Sequence, residues 1–182
     1  MKLEQVVDFF SGPNSVELKK KFSSYETYTN EDLEYDLHQG FQTKNTSLKK
    51  SPILEAGDIV TSTMTNTTTI VSPKSAGKVI SQNLSKLNFI EGGDAWYLCY
   101  VLNESKALKH QLYSTMEGSA LRRVTVSNLK HLEIEWPSLE QQRQIGKLYS
   151  LMLIRERLQS EYENKLREAI LEILNRKDGN GE

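Results

Sequence analysis

Apolar residues recur at helical spacing along the last quarter of the chain. Leu151, Ile154, Leu158, Tyr162, Leu166, Ile170 and Ile173 are separated by 3, 4, 4, 4, 4 and 3 residues. The mean step of about 3.67 residues lies nearer an eleven-residue repeat than a heptad, which predicts a helix that runs nearly straight or coils weakly right-handed. Pro137 disfavours a helical Trp136, so the helix should start sharply. Ser138 is placed to N-cap it, with Gln141 at the reciprocal capping-box position. The helix is expected over 138–177, followed by a flexible tail at 178–182. At 1.5 Å per residue, roughly 38 residues of such a rod span about 57 Å, more than a small domain covers. The stripe therefore predicts a dimer interface with a partner helix. A terminal helix folded back on its own domain is the alternative.

Upstream, the pattern breaks into shorter pieces. Leu3, Val6, Val7, Phe9 and Phe10 form a short apolar element closed by Ser-Gly-Pro at 11–13. Tyr25 to Asp36 mixes acidic and aromatic residues, consistent with a strand and a turn or short helix, and 39–50 reads as a polar, basic surface loop. Gly57-Asp58 signals a turn, and Ile59-Val60 starts a strand. The Thr-rich run that follows favours extended structure, and its polarity predicts a solvated edge strand or loop. A second short strand is expected over Val79–Leu84. Ala95–Leu102 is apolar and aromatic, a buried strand or helix; Asn103-Glu104-Ser105 downstream favours a helix running out, and Leu98, Val101 and Leu102 fit one face. Ser127-Asn128-Leu129 suggests a helical turn, and His131–Pro137 alternates as a half-buried strand does. The fold class expected is α+β, a mixed body of 1–137 carrying a long C-terminal helix.

Charge adds a bias but no class. The net charge is −1, distributed as −3 over 1–58, +4 over 59–130 and −2 over 131–182. The middle of the chain is thus its basic part. The single cysteine, Cys99, sits in an apolar run, which excludes an internal disulfide and predicts a buried thiol. With no signal peptide and no apolar run of about 18 residues, a soluble cytoplasmic protein is expected.

Catalytic motifs are missing. The four prolines at 13, 52, 73 and 137 are isolated, so the Pro-Pro-aromatic hold on an adenine amino group is absent. There is no Gly-x-Gly-x-x-Gly or Walker loop. His38, His110 and His131 lack acidic or cysteine neighbours at metal-ligand spacing. No enzyme, no metal and no bound cofactor are expected.

The second half of the chain resembles a known family. Gly57-Asp58-Ile59-Val60, Ile80-Ser81 and Tyr97-Leu98-Cys99-Tyr100-Val101-Leu102 resemble a target recognition domain of the specificity (S) subunit of type I restriction-modification systems. Gly118-Ser119, Leu129, Leu132-Glu133-Ile134-Glu135-Trp136-Pro137, Leu139-Glu140-Gln141-Gln142 and Ile145 resemble the close of that domain and the start of its long helix. The resemblance covers roughly 50–176. It implies a DNA-binding head over 1–137 and a helix that packs antiparallel with a partner helix. The usual subunit has two heads and two helices, whereas this chain has one of each. Two copies would rebuild the arrangement around a two-fold axis.

The function so implied is non-catalytic recognition of double-stranded DNA. The homodimer would read an interrupted palindrome and recruit DNA adenine methyltransferase subunits, with an ATP-dependent restriction subunit as a further partner. S-adenosylmethionine and ATP would bind those partners. Candidate base readers are Lys74, Lys78, Gln82, Asn83, Ser119, Arg122 and Arg123, because Lys and Arg address guanine while Gln and Asn address adenine. The alternative function is an adaptor with a coiled-coil stem and a protein-binding head. Salt-dependent affinity for duplex DNA separates the two.

Overall fold

The computed structural model describes residues 1–42, 50–116 and 124–178. A 3-10 turn (Leu3–Gln5) leads into β1 (Val7–Ser11), followed by α1 (Ser15–Lys21) and α2 (Asn30–Gln39). Then come β2 (Ile59–Ser62), β3 (Thr68–Ile70), β4 (Leu84–Phe89), α3 (Ala95–Glu104), α4 (Lys106–Met116), α5 (Val126–Lys130) and α6 (Leu139–Asp178). The four strands form one antiparallel sheet in the order β1-β4-β2-β3. The expected α+β body with a long C-terminal helix is what the chain forms.

The register gives the sheet two different faces. Phe9, Leu87 and Ile59 stand side by side across three strands, as do Phe10, Lys86 and Val60 on the other face. The first set joins the larger core, with Trp96, Leu98 and Cys99 of α3, Leu108 and Leu112 of α4, and Tyr149 and Leu153 of α6. The second set lies over a smaller core of Tyr28, Leu33, Leu54, Val71 and Ile80.

Helix ends follow local chemistry. Thr29 and Asp32 form a capping box on α2, which stops at Gly40 in the left-handed region (φ 61°). Thr125 and Asn128 do the same for α5. On α6 the Ser138 hydroxyl accepts from the Gln141 amide at 3.4 Å, and Gln141 returns to the Ser138 amide at 3.3 Å, as the sequence predicts. Each such cap is worth about 1 kcal/mol.

Several expectations change. The Thr-rich segment is the hairpin of β2 and the edge strand β3; its turn at 64–66 is exposed, but its strand residues are not solvated. Thr61, Ser62, Thr68 and Thr69 are all buried. Much of their polarity is absorbed internally: Thr68 donates its hydroxyl to that of Thr61 at 2.8 Å, although the buried Thr69 hydroxyl has no partner. The Asn103 carboxamide, from the end of α3, pairs with both the amide and the carbonyl of Thr68 at 2.7 and 2.8 Å. That side chain serves the free edge of β3 as a further strand would. The strand expected over Val79–Leu84 begins only at Leu84, while Val79 makes isolated bridges to Thr27 and Ile53. His131–Pro137 alternates in burial but forms a single bridge, Lys2 to Glu133. α1 and α4 have no counterpart among the elements that the apolar pattern predicts. No helix among the described residues is long and apolar enough to cross a membrane.

α6 divides into two halves. Gln142, Tyr149, Ser150 and Leu153 are buried against the head, and Arg157 is the last residue partly covered. From Leu158 to Arg176 every side chain is exposed. The first half is therefore the folded-back terminal helix of the alternative reading, and the second projects beyond the head.

Candidate nucleic-acid interface

The seat of α6 on the head is built from polar and small residues. The Asp94 carboxylate caps α3 by accepting from the Tyr97 amide at 2.8 Å. The Asp94 amide donates to Gln142 of α6 at 3.0 Å, and Gln142 donates on to the Pro137 carbonyl at 2.9 Å. Burial pushes the Asp94 carboxyl up, while the amides of Tyr97 and Trp96 and the charge of Arg143 pull it back. Further along, the Tyr149 hydroxyl accepts from Asn103 at 3.1 Å and donates to Glu104 at 3.3 Å. Arg157 then reaches back to the His38 carbonyl at 3.1 Å. With contacts from Gln142 to Arg157, the direction of the helix is fixed relative to the head.

The candidate base readers do not share one setting. Lys74 is exposed and lies over the Tyr35 ring, with its ammonium 3.9 Å from the centroid. Lys78 is matched within the chain, at 2.8 Å from Asp32 and 3.6 Å from Glu26. The Asp32 hydrogen bond holds the Lys78 ammonium above its usual range. Burial alone would raise the Asp32 carboxyl, but Lys78 and Thr29 outweigh it and hold it low. Lys78 therefore brings little free charge to a phosphate or base. The main-chain carbonyl of Asn83 accepts from the Thr63 amide and hydroxyl at 3.0 and 3.1 Å. Gln82 is exposed and lines a cleft with Gly12, Asn14, Lys21 and Phe22. Ser119, Arg122 and Arg123 lie outside the described residues.

That cleft introduces residues that sequence reasoning missed. It brings Gln82 beside α1, whose last turn carries exposed Lys19, Lys20 and Lys21, with Lys21 paired to Glu17 at 2.8 Å. The two segments meet because Gly12 sits on the Ser81 carbonyl: a Cβ there would come within 2.3 Å of that oxygen. The signal for α1 was present. Asn14 follows Pro13 and caps two amides, Glu17 stands in the first turn, and the lysines fill the last.

Elsewhere the middle of the chain is less basic at its surface than in its sequence. Lys86 is buried in an ion pair with Asp58, and Lys109 lies 3.5 Å from Glu104. Cys99 is buried, and desolvation pushes its thiol up, so it is an inert core group. Among the described residues, no group of His, Cys, Asp and Glu could hold a metal ion.

Three solved chains share this architecture. One comes from a study of complex assembly and conformational transition in the type I R-M system, at TM-score 0.54 and 18% identity, covering 94% of this chain and 44% of that one. The HsdS subunit of Thermoanaerobacter tengcongensis matches at TM-score 0.51 and 19% identity over 94% of this chain and 43% of its own. The S subunit of the M. genitalium type I restriction-modification system matches at 0.54 and 18%, over 93% and 43%. The chain thus spans less than half the length of these relatives in structure. None of the curated proteins matches it. The family model of the type I restriction modification DNA specificity domain matches residues 1–167 of the 182, and the chain belongs to that family.

Proposed function

We propose that this chain recognises DNA sequence as a homodimer and carries out no reaction itself. The observation that carries the reading is the projecting half of α6. Leu158, Tyr162, Leu166, Ile170 and Ile173 are 46–66% exposed there, on a helix that the head covers only as far as Arg157. Apolar side chains in such a row are a docking face for another helix. A second copy supplies one, and the pair then presents two identical heads, one for each strand's copy of a half-site. The target would be an interrupted palindrome. DNA adenine methyltransferase subunits, and a restriction subunit where one exists, would bring S-adenosylmethionine and ATP. Membership of a DNA specificity family favours this reading over the protein-binding adaptor.

Methylome sequencing of a host expressing this chain with its methyltransferase subunit tests it. The expected result is methylation at a palindrome with several unread central base pairs. An asymmetric or uninterrupted motif, with no second specificity chain present, overturns the homodimeric reader.

A finer expectation concerns the arginines of the 117–123 segment. Arg122→Ala or Arg123→Ala should weaken cognate binding by about 1–3 kcal/mol if the side chain reads a base. Fluorescence anisotropy on cognate and scrambled duplexes checks this. An equal loss on both duplexes marks a phosphate contact instead.

A further inference from the structure

From Ile59 to Ile90 the sequence holds no Asp or Glu, and none falls between Phe9 and Val16. The fold brings these two stretches together at one end of the sheet. Ser11, Ser85 and Thr61 stand in register across β1, β4 and β2. Gln82 emerges at that end, with Gly12 against the Ser81 carbonyl on one side and Thr63 bonded to the Asn83 carbonyl on the other. Its side chain is exposed, and its carboxamide has no hydrogen-bond partner among the described residues.

α1 supplies the facing wall of the cleft through Asn14, Glu17 and Lys21. At 100° per residue, Lys20 lies about 60° from Glu17 and so flanks the cleft. Lys19 lies about 160° from both Glu17 and Lys21, and is turned away. Lys20 is exposed, without a carboxylate partner among the described residues. Lys21 is paired with Glu17, but their side chains are 67% and 42% exposed, and a solvated pair of this kind is weakly held. Lys78 differs, since it and Asp32 are only 22% and 21% exposed. Lys20 and Lys21 can therefore take up a phosphate, which Lys78 cannot do without stranding Asp32. Glu17 stays compensated in the first turn of α1, where the helix dipole favours a carboxylate.

We propose that this cleft seats the backbone of one strand of the target duplex, with Lys20 and Lys21 on its phosphates and the Gln82 carboxamide against a base edge. The assignment rests on the DNA-reading function above and gives it a place on the head. Two cations on one wall, facing segments free of carboxylates, complement a polyanion. The free carboxamide between them matches the N6 and N7 of adenine. Gly12, seated on the Ser81 carbonyl, holds Gln82 at this distance from α1.

Fluorescence anisotropy of the chain assembled with its methyltransferase subunit, over a salt series on cognate and scrambled duplexes, tests the assignment. Lys20→Gln/Lys21→Gln should weaken binding to both duplexes alike, by about 10-fold, and lower the slope of log K against log salt by about 1–2. Lys20→Arg/Lys21→Arg should keep the slope. Gln82→Ala should weaken binding to the cognate duplex alone, by about 5- to 150-fold. Lys2→Gln/Lys106→Gln removes equal charge from exposed positions that do not line the cleft, and should leave the slope as it is. All these side chains are exposed, and thermal melting verifies that each variant stays folded. An unchanged slope in Lys20→Gln/Lys21→Gln overturns the phosphate grip. So does an equal fall in the Lys2→Gln/Lys106→Gln control, which would report net charge alone. A Gln82→Ala loss that is absent, or equal on both duplexes, overturns the base contact. A wild-type complex with no salt-dependent binding to either duplex overturns the DNA-reading function itself, so that failure is distinct from a misplaced grip.

Discussion

Lys86→Met should destabilise the protein by about 3–5 kcal/mol, because it strands a buried carboxylate. Lys86 occupies the central strand β4, and its ammonium lies 2.6 Å from Asp58, with both side chains 1% exposed. Asp58 Oδ2 also accepts from the Glu55 amide at 2.8 Å, while Oδ1 has no hydrogen-bond partner. Among the described residues, the Lys86 ammonium is the charge paired with this buried carboxylate. For a chain of this length the loss corresponds to a fall in Tm of roughly 6–20 °C. The pair itself is worth much less than this, since desolvating two ions offsets most of their attraction. Lys86→Met combined with Asp58→Asn should therefore recover most of the loss, as the carboxamide oxygen can still accept from Glu55. Urea midpoints of the two singles and the double measure this. A single variant within about 1 kcal/mol of wild type would show that the Asp58 charge is relieved by other means.

Gly146→Ala should also destabilise, against the sign expected from helix propensity. On an exposed helix, Ala in place of Gly stabilises by about 1 kcal/mol. Here a Cβ would stand 2.1 Å from Asp94 Oδ1 and 2.6 Å from the Tyr97 amide nitrogen, where the cap of α3 rests on α6. Relief requires moving one helix or losing the cap. Overpacking costs about 1–3 kcal/mol and a lost cap about 0.5–2 kcal/mol. With both costs incurred, the expected net loss is roughly 0.5–4 kcal/mol after the propensity gain is set against them. Asp94→Ala removes one of the two clashing atoms, so the double variant should be less destabilised than the two singles together. Thermal denaturation of all three chains provides the cycle. A Gly146→Ala chain that gains about 1 kcal/mol would show that α6 is not held tightly at this point.

Both results bear on function through the seat of the stem. Gly146, Gln142 and Tyr149 set the direction in which α6 leaves the head, and Lys86 supports the sheet beneath it. In the homodimer proposed above, reading two half-sites at a fixed distance depends on that angle. Variants at the seat are therefore expected to disturb paired binding more than binding to a single half-site.

What the sequence alone determined was local or periodic. Ser138 and Gln141 predicted the start of α6 because a capping box involves only neighbours in the chain. The repeated apolar step predicted a long helix, and the apolar run Ala95–Leu102 predicted a buried α3. Family membership was legible in the order of short motifs along the chain, and the family model matches residues 1–167. Tertiary structure decided what no local pattern encodes. A stripe of apolar residues announces a face but not its neighbour, and the head takes the opposite face, through Gln142, Gly146, Ser150 and Leu153. Three of those four carry no hydrophobic signal, since they are buried by hydrogen bonding or by close approach of a backbone. The solvation that polarity predicts for the Thr-rich strand fails for the same reason: Asn103 and Thr61 satisfy the polar groups of Thr68 only once the chain has folded. Charge behaved likewise. Lys78 and Lys86 count as basic in the sequence, but Asp32, Glu26 and Asp58 neutralise them across long stretches of chain. Pairing over such distances is a property of the fold, because it depends on which segments the sheet brings together.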